Sequence, residues 1–407
     1  MSKTVNALRY RPFILILAVL SMLFAGIIYA WSILKAPFAE HFGWTASQLA
    51  LNFTLTMCFF CIGGLIGSVI SRKIGVKLSV FIAAALSGVG MFLTSFLNGD
   101  AVIFLYFTYA VMAGLGIGIA YNVIISAVNL WFPDKKGLCS GALMMGFGAS
   151  SLVLGNISDL LFKTNMGWQG TYRLMGGALF AVLFVVGIFM RRPDADTVFP
   201  ENKKSAKLNA ESFETVDYTP LQMLKRFTFW RGFALIAFVT AVGNSVISFA
   251  KDLSLSVGAQ TALATSLVGI LAVCNGLGRI ISGTLFDLLG RKRTMLIAVV
   301  LTIAAAGITL ISVITANLPL CIIGLCLTGL SYGTCPTMVV AFTSAFYGSK
   351  HFSSNFAIMN CNLICASFMA TACSNLIESF GGYTAPFILL LILAAVALLL
   401  NLSIKRP

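Results

Sequence analysis

The chain has 407 residues, of which 59% are hydrophobic and only 10% are charged, and its formal net charge is +14. Soluble globular domains carry about 25% charged residues, so this composition excludes that class. Most of the chain is therefore expected to lie in lipid.

Twelve apolar stretches follow one another along the chain, each long enough to cross a membrane. A hydrocarbon core about 30 Å thick needs about 20 helical residues, at about 1.5 Å per residue. The predicted helices are residues 12–36, 46–70, 77–97, 101–131, 138–162, 171–190, 229–250, 260–286, 293–315, 318–346, 353–376 and 384–403. A membrane β-barrel would instead show alternating segments of about 10 residues. The sequence predicts an all-α membrane protein with twelve transmembrane helices.

The basic residues concentrate on one side of these predicted helices. With a cytoplasmic N-terminus, all but five of the 27 Lys and Arg residues fall in cytoplasmic segments. The exceptions are Lys35, Lys163, Arg173, Lys251 and Arg279. The positive-inside rule then explains the net charge without a nucleic-acid partner. We expect a multi-pass protein of the cytoplasmic (inner) membrane with both termini in the cytoplasm, and a first helix that is retained because no cleavage site follows it.

The ten cysteines do not form a pattern typical of a disulfide framework or a metal site. They lie in apolar helices or, for Cys139, at the start of one, where free thiols behave as small hydrophobic side chains. Cys58 and Cys61 share a helical face, but no His or carboxylate joins them. Neither a metal nor a cofactor is predicted.

A polar segment divides the chain into two halves. Residues 1–190 and 229–407 each hold six predicted helices, and residues 191–228 form a predicted cytoplasmic linker. The halves show a weak repeat at an offset of about 215 residues. Within it, Ser68 and Arg72 of the first copy stand opposite Gly283 and Asp287 of the second.

This organisation resembles the major facilitator superfamily. The segment GTLFDLLGRK, which begins at Gly283, fits that superfamily's G-x-x-x-D-x-x-G-R-[KR] pattern, whereas the first copy departs from it. In the superfamily, the Asp of this pattern helps to hold the two halves together on the cytoplasmic side. The resemblance therefore implies a gating role for Asp287 and Arg291, but not for Arg72.

Seven further strings resemble the oxalate/formate antiporter family and its monocarboxylate-carrying relatives. They occur in the expected order and cover nearly the whole chain except the linker. They are YAWS from Tyr29, GLGIGIAY from Gly114, WFPDKKG from Trp131, AKD from Ala250, NGLGR from Asn275, Tyr332-Gly333 with Pro336, and FYGSK from Phe346 with Asn355.

Arg279 is a charged residue deep in a predicted helix. It lies eight residues before Asp287 at the cytoplasmic rim, which is about 12 Å along a helix and close to the midplane. A charge there costs at least about 2.5 to 3.5 kcal/mol, so it is a functional candidate by default. The acidic residues near the spans all lie close to helix ends, and a substrate carboxylate matches the planar fork of a guanidinium. Asn275, one helical turn earlier, is predicted to orient that fork or to accept a hydrogen bond from a protonated ligand.

The resemblance supports this interpretation of Arg279 and narrows the substrate. In the oxalate/formate antiporter family the matching arginine binds the substrate carboxylate, and the oxalate carriers have a lysine midway along helix 11. Leu363 occupies that place here. Because a second buried charge would otherwise lack a partner, one cation suits a monocarboxylate such as formate, acetate, lactate or pyruvate.

Aromatic residues and one lysine complete the predicted site. Tyr29, Trp31, Tyr121 and Tyr332 belong to helices that line the central cavity in this superfamily. Phenolic hydroxyls donate hydrogen bonds to a carboxylate, while the rings enclose a small alkyl group. Packing between helices is the alternative role for each of them, most of all for Trp31. Lys35, near the outer end of helix 1, is predicted either to attract anions or to have no functional role.

The mode of coupling and the exact activity stay open at the level of sequence. Without helix-buried carboxylates, the carrier either exchanges anions or moves a proton with its substrate, and it is expected to be a monomer. Alternating access around a midplane site is the expected mechanism. The alternatives are an oxalate or other dicarboxylate antiporter, a drug exporter of the same fold, and a transport-inactive anion sensor. No constellation of nucleophile, base or metal indicates an enzyme.

Overall fold

The computed structural model describes residues 2–98, 102–193, 197, 199 and 216–404. Most of the predicted linker and the last three residues lie outside this part of the chain. Within it, all regular secondary structure is helical, which agrees with the all-α prediction. Helices are the expected solution in lipid because they satisfy every backbone hydrogen bond within one segment.

The chain divides into two compact units. Unit 1 is Met1–Asp134 with Ala142–Glu201, and unit 2 is Lys135–Gly141 with Asn202–Pro407. One helix, Lys136–Phe162, begins in unit 2 and continues in unit 1.

Unit 1 is built from long apolar helices joined by short turns. Its helices are α1 (Ser2–Ala25), α2 (Trp31–Leu34), α3 (Ala36–Phe42), α4 (Ala46–Lys73), α5 (Gly75–Thr94), α6 (Val102–Leu105), α7 (Gly114–Trp131), most of α8 (Lys136–Phe162) and α9 (Gly167–Phe189). Helix α4 begins with a capping box, in which the Thr45 hydroxyl accepts from the Gln48 amide and the Gln48 side chain accepts from the Thr45 amide. Helix α5 packs between α7 and α9.

Two segments of unit 1 depart from α-helical geometry. The 3₁₀ segment Gly26–Ala30 separates α1 from α2, although the sequence predicted one continuous helix there. The π-helical segment Tyr106–Ala113 joins α6 to α7 inside the fourth predicted span. Gly90 of α5 packs directly against this π segment. Such departures from the α-helix occur frequently at functional sites and hinges.

Unit 2 repeats the pattern of long helices. Its helices are α10 (Pro220–Leu224), α11 (Phe227–Ser256), α12 (Thr261–Ile314), α13 (Leu318–Tyr347), α14 (Phe352–Asn360), α15 (Asn362–Phe380) and α16 (Thr384–Ser403). Helix α11 continues to Ser256, whereas the sequence predicted an end at residue 250, and it changes direction at Phe249. A buried apolar core that includes Val246, Leu271 and Phe387 joins α11, α12 and α16.

A single glycine divides α12 into two crossings. The apolar run Ser266–Ile314 has 49 residues and is one of eleven candidate membrane spans among the described residues. As a straight helix it would be about 74 Å long, more than twice the thickness of a hydrocarbon core. Gly290 breaks it with φ 72° and ψ 174°, a backbone conformation that residues with a Cβ rarely adopt. The two parts match the predicted eighth and ninth helices, which reconciles eleven helical runs with twelve predicted crossings.

Candidate functional site

Arg279 lies in the first half of α12 and is almost completely buried, with 2% of its surface exposed. Its Nε donates a hydrogen bond of 3.2 Å to Oδ1 of Asn275, one helical turn earlier. The structure thus brings together two of the unit 2 residues that the sequence singled out. Because the bond uses the Nε edge of the guanidinium, it fixes the plane of the fork relative to α12.

The backbone of α13 approaches the Asn275–Arg279 turn very closely. A Cβ added to Gly333 would collide with the Asn275 carbonyl oxygen and lie 3.0 Å from the Arg279 amide nitrogen. Only glycine permits this approach. The close contact holds the turn of α12 that carries both polar side chains in a fixed position against α13.

Small polar side chains contact Arg279 or its neighbours within unit 2, and the sequence analysis did not identify them. Cys335 of α13 lies close enough to Arg279 to interact electrostatically with its guanidinium, and it contacts the hydroxyl of Thr240. That hydroxyl donates 3.3 Å to Oδ1 of Asn362 at the start of α15. Ser282 donates 3.2 Å to the Arg279 carbonyl oxygen. Single hydroxyl and amide residues inside apolar helices are the only sequence signal that could have revealed this polar layer.

Tyr332 belongs to the same unit and lies on α13, one position before Gly333. It is 7% exposed, and its ring packs against Gly243 of α11. Because the next residue, Gly333, contacts the Asn275–Arg279 turn, Tyr332 lies close to this turn along α13. Its contact with Gly243 is a packing contact.

In unit 1, Tyr29 and Tyr121 meet around a shared phenylalanine. The ring centroid of Phe147 lies 5.3 Å from that of Tyr29 and 5.0 Å from that of Tyr121, both in edge-to-face geometry. Phe60 lies 5.0 Å from Tyr121. The Tyr121 hydroxyl donates 2.8 Å to the sulfur of Met144. The two predicted tyrosines of this unit thus form one aromatic cluster, whose edge-to-face packing restrains the rings.

Trp31 lies in a different cluster from its near neighbour Tyr29. Its indole Nε1 donates 2.9 Å to the Leu49 carbonyl oxygen, and its ring lies 4.7 Å from that of Tyr109. These contacts satisfy the polar edge of a side chain that is 4% exposed. Lys35, the junction between α2 and α3, is half-buried, and its backbone amide donates to the Trp31 carbonyl oxygen.

Asp287 caps the first turn of α8 within unit 2. Its two carboxylate oxygens accept hydrogen bonds from the backbone amides of Gly137, at 3.0 Å, and Leu138, at 2.9 Å. A carboxylate at a helix N-terminus also interacts favourably with the helix dipole. The guanidinium of Arg291 lies 4.0 Å from the ring centroid of Phe346 at the end of α13. Both predicted gating residues therefore contact neighbouring segments of unit 2.

In the part of the chain that the structure describes, no three His, Cys, Asp or Glu side chains gather in a way that could hold a metal ion. The described cysteines carry free thiols.

The family model of the Major Facilitator Superfamily matches residues 14–250 and 233–407. The chain belongs to the Major Facilitator Superfamily. It is a multi-pass membrane transporter and not an enzyme. Solved structures agree on the fold: the proton:xylose symporter XylE has a TM-score of 0.76 at 15% identity and covers 98% of this chain and 96% of its own. The transporter FucP, in the outward conformation, has a TM-score of 0.67 at 15% identity, with coverage of 97% and 99%.

The transporter is also similar to curated members of the superfamily. The uncharacterized MFS-type transporter YhjX of Escherichia coli is 25% identical over 357 residues, which are 87% of this chain and 85% of that protein. The oxalate:formate antiporter of Oxalobacter formigenes is 25% identical over 390 residues, 95% and 90% of the two chains. Monocarboxylate transporter 1 of Bos taurus is 28% identical over 176 residues, 43% of this chain and only 34% of that protein.

Proposed function

We propose that this transporter moves a small monocarboxylate across the cytoplasmic membrane and that Arg279 binds the carboxylate. The observation that carries the proposal is the burial of a guanidinium whose Nε is held 3.2 Å from the Asn275 amide oxygen. A guanidinium fixed in this way presents a preorganised pair of donors, which suits the two oxygens of a carboxylate. Similarity to an oxalate:formate antiporter over 95% of the chain supports an organic anion as substrate.

Helix α15 favours a substrate with one carboxylate over a substrate with two. Leu363 lies half-buried on this helix, two residues beyond the interruption at Cys361. A leucine there offers no second charge to a distant carboxylate, and a dicarboxylate would carry an additional charge into a buried site. Formate, acetate, lactate and pyruvate are the candidate substrates.

The tyrosines are expected to provide uncharged contacts that enclose part of the substrate. We assign to Tyr332, Tyr29 and Tyr121 the enclosure of the substrate's small apolar part, with their hydroxyls as additional donors. Trp31 packs against Tyr109 and donates to the Leu49 carbonyl oxygen, so we assign it a packing role within unit 1, and Lys35 attracts anions from the outer side. We expect Asn275 to act through Arg279 by fixing the fork.

Transport proceeds by alternating access, in which gating contacts at Asp287 and Arg291 break and reform. Coupling is either exchange for a second carboxylate or co-transport of a proton. On the basis of its positive-inside charge distribution we place the transporter in the inner membrane with both termini cytoplasmic, and we expect it to be a monomer.

The test is uptake by purified protein in proteoliposomes of labelled formate, acetate, lactate, pyruvate and oxalate. Each substrate is offered with an internal anion, with an inward proton gradient, or with neither. We expect a monocarboxylate to be taken up at least about tenfold faster than oxalate. Faster uptake of oxalate that depends on the internal anion would instead establish the dicarboxylate antiporter.

The decisive variant is Arg279→Gln. Two charge-assisted hydrogen bonds of about 1.5 to 3 kcal/mol each would be lost, so uptake at low substrate concentration should fall by about 100-fold or more. Arg173→Gln is the matched control, because Arg173 is exposed in unit 1 and its Nε donates 3.1 Å to the Ser95 hydroxyl. Normal uptake by the Arg279→Gln protein would contradict the assignment of Arg279.

A further inference from the structure

The end of the linker is folded onto unit 2. The backbone amide of Tyr218 donates 3.2 Å to the Tyr347 carbonyl oxygen at the end of α13. The side-chain amide of Asn355 in α14 donates 2.9 Å to the Tyr218 carbonyl oxygen. Helix α10 follows at once and begins with a capping box between Thr219 and Gln222. Residues 216–224, which we call the linker strap, therefore bridge α13 and α14.

The strap places a carboxylate on the turn between these two helices. Oδ1 of Asp217 accepts hydrogen bonds from the backbone amides of Ser349, at 2.9 Å, and Lys350, at 3.0 Å. Hydrogen bonds from backbone amides to an ionised oxygen are roughly twice as strong as those between neutral groups. Asp217 thus fixes the turn that precedes α14.

The arrangement at Asp217 resembles the one at Asp287, but the acid comes from a different part of the chain. Asp287 accepts from two adjacent backbone amides at the start of α8. In the internal repeat, residue 72 occupies the position that corresponds to Asp287, and it is an arginine. Arg72 is exposed, and its Nε donates 3.1 Å to the Ser68 carbonyl oxygen. The first half therefore lacks the acid in its loop, and the linker supplies one to the turn before α14, the repeat counterpart of the turn before α8.

Asp217 also acts electrostatically on the start of α8. Lys136 is the first residue of that helix and lies close enough to Asp217 for the two charges to attract each other. Gly137 and Leu138, whose amides Asp287 caps, are the next two residues. The first turn of α8 is thus under the influence of two carboxylates, one hydrogen-bonded to its amides and one attracting its lysine.

We propose that the linker strap is part of the cytoplasmic gate. Asp217 holds the turn before α14 and, through Lys136, the first turn of α8 in the observed conformation, and these interactions release during the transport cycle. The linker strap is then a gating element. This inference does not depend on which anion is carried.

The test is hydrogen exchange and cysteine alkylation of the full-length protein in lipid nanodiscs. In Asp217→Asn we expect backbone amides of residues 348–351 to exchange about tenfold faster, because the charged acceptor is gone. Cys139 is 2% exposed in the first turns of α8 and reports on the gate. Its alkylation, followed by peptide mass spectrometry, should also accelerate severalfold, as it should in Asp287→Asn.

Three further variants make the result specific. Glu214→Gln removes an acid from the same linker and should leave both measurements unchanged. Asp217→Glu keeps the carboxylate and should restore most of the protection at 348–351. Lys136→Gln should accelerate alkylation of Cys139 while leaving exchange at 348–351 unchanged, which separates the electrostatic interaction from the hydrogen bonds.

Two outcomes would overturn the proposal. One is exchange and alkylation in Asp217→Asn at wild-type rates. The other is faster exchange at 348–351 with wild-type alkylation of Cys139 in both Asp217→Asn and Lys136→Gln, which would make the strap a local structural contact without a gating role.

Discussion

Replacement of Arg279 by lysine separates the charge of this residue from its geometry. Arg279 holds Asn275 with Nε while its two terminal nitrogens define the remaining edge of the fork. A lysine ammonium is a point charge that cannot reproduce both edges at once. The variant should lose about one charge-assisted hydrogen bond to the substrate, about 1.5 to 3 kcal/mol, and KM should rise about 10- to 150-fold.

The measurement is the concentration dependence of initial uptake by proteoliposomes, using the substrate identified with the wild-type protein. Thermal unfolding of each variant in detergent controls for loss of the folded state. A KM within about twofold of the wild-type value, a difference of about 0.4 kcal/mol, would refute the argument that fork geometry determines binding.

The same experiment tests the positioning role of Asn275. Asn275→Ala removes the acceptor of the 3.2 Å bond and should raise KM in the Arg279 background. In the Arg279→Lys background it should have much less effect, because the fork that Asn275 orients is already absent. Additive effects of the two substitutions would show that Asn275 acts independently of Arg279.

Two further substitutions follow from the same part of unit 2. Leu363→Lys adds a second cation on α15 and should shift the ratio of monocarboxylate to oxalate uptake toward oxalate by about tenfold or more; an unchanged ratio in the proteoliposome panel would contradict the role assigned to this position. Gly333→Val introduces a side chain where a Cβ already collides with the Asn275 carbonyl oxygen and should destabilise the protein by about 1 to 3 kcal/mol. Thermal unfolding at or above the wild-type midpoint would show that α13 does not pack here as described, and Gly269→Val, where a Cβ meets nothing within 4 Å, is the matched control.

Hydropathy predicted the fold well because lipid imposes a length and a composition on every crossing. The fourth and tenth helices, predicted at 101–131 and 318–346, are observed as Val102–Trp131 and Leu318–Tyr347. The interruptions inside spans were not predictable in this way. The 3₁₀ segment Gly26–Ala30 is as apolar as its neighbours, so only packing against other helices reveals it, and the two asparagines that flank Cys361 did not by themselves indicate a break.

The sequence predicted the site residues that are charged or polar inside an apolar run, but it did not predict which residues contact one another in the folded protein. Arg279 and Asn275 stood out because polar residues are costly inside an apolar run. Trp31 shows the limit of such reasoning: it is two residues from Tyr29, yet its indole bonds to Leu49, because residues two apart on a helix do not share a face. The contacts of Asp217 were equally invisible, because its partners Ser349 and Lys350 lie more than a hundred residues away.

The π-helical segment Tyr106–Ala113 has a consequence for how insertions and deletions act in this transporter. A π-turn accommodates one more residue than an α-turn, and one residue corresponds to about 100° of rotation about a helix axis. Loss of a single residue within this segment would convert it to α-helix while the residues after it, including Tyr121, keep the direction in which they face; the same loss inside α7 would rotate the residues after it by about 100°. Between α6 and α7 the chain can therefore lose one residue without changing which side chains face a given neighbour.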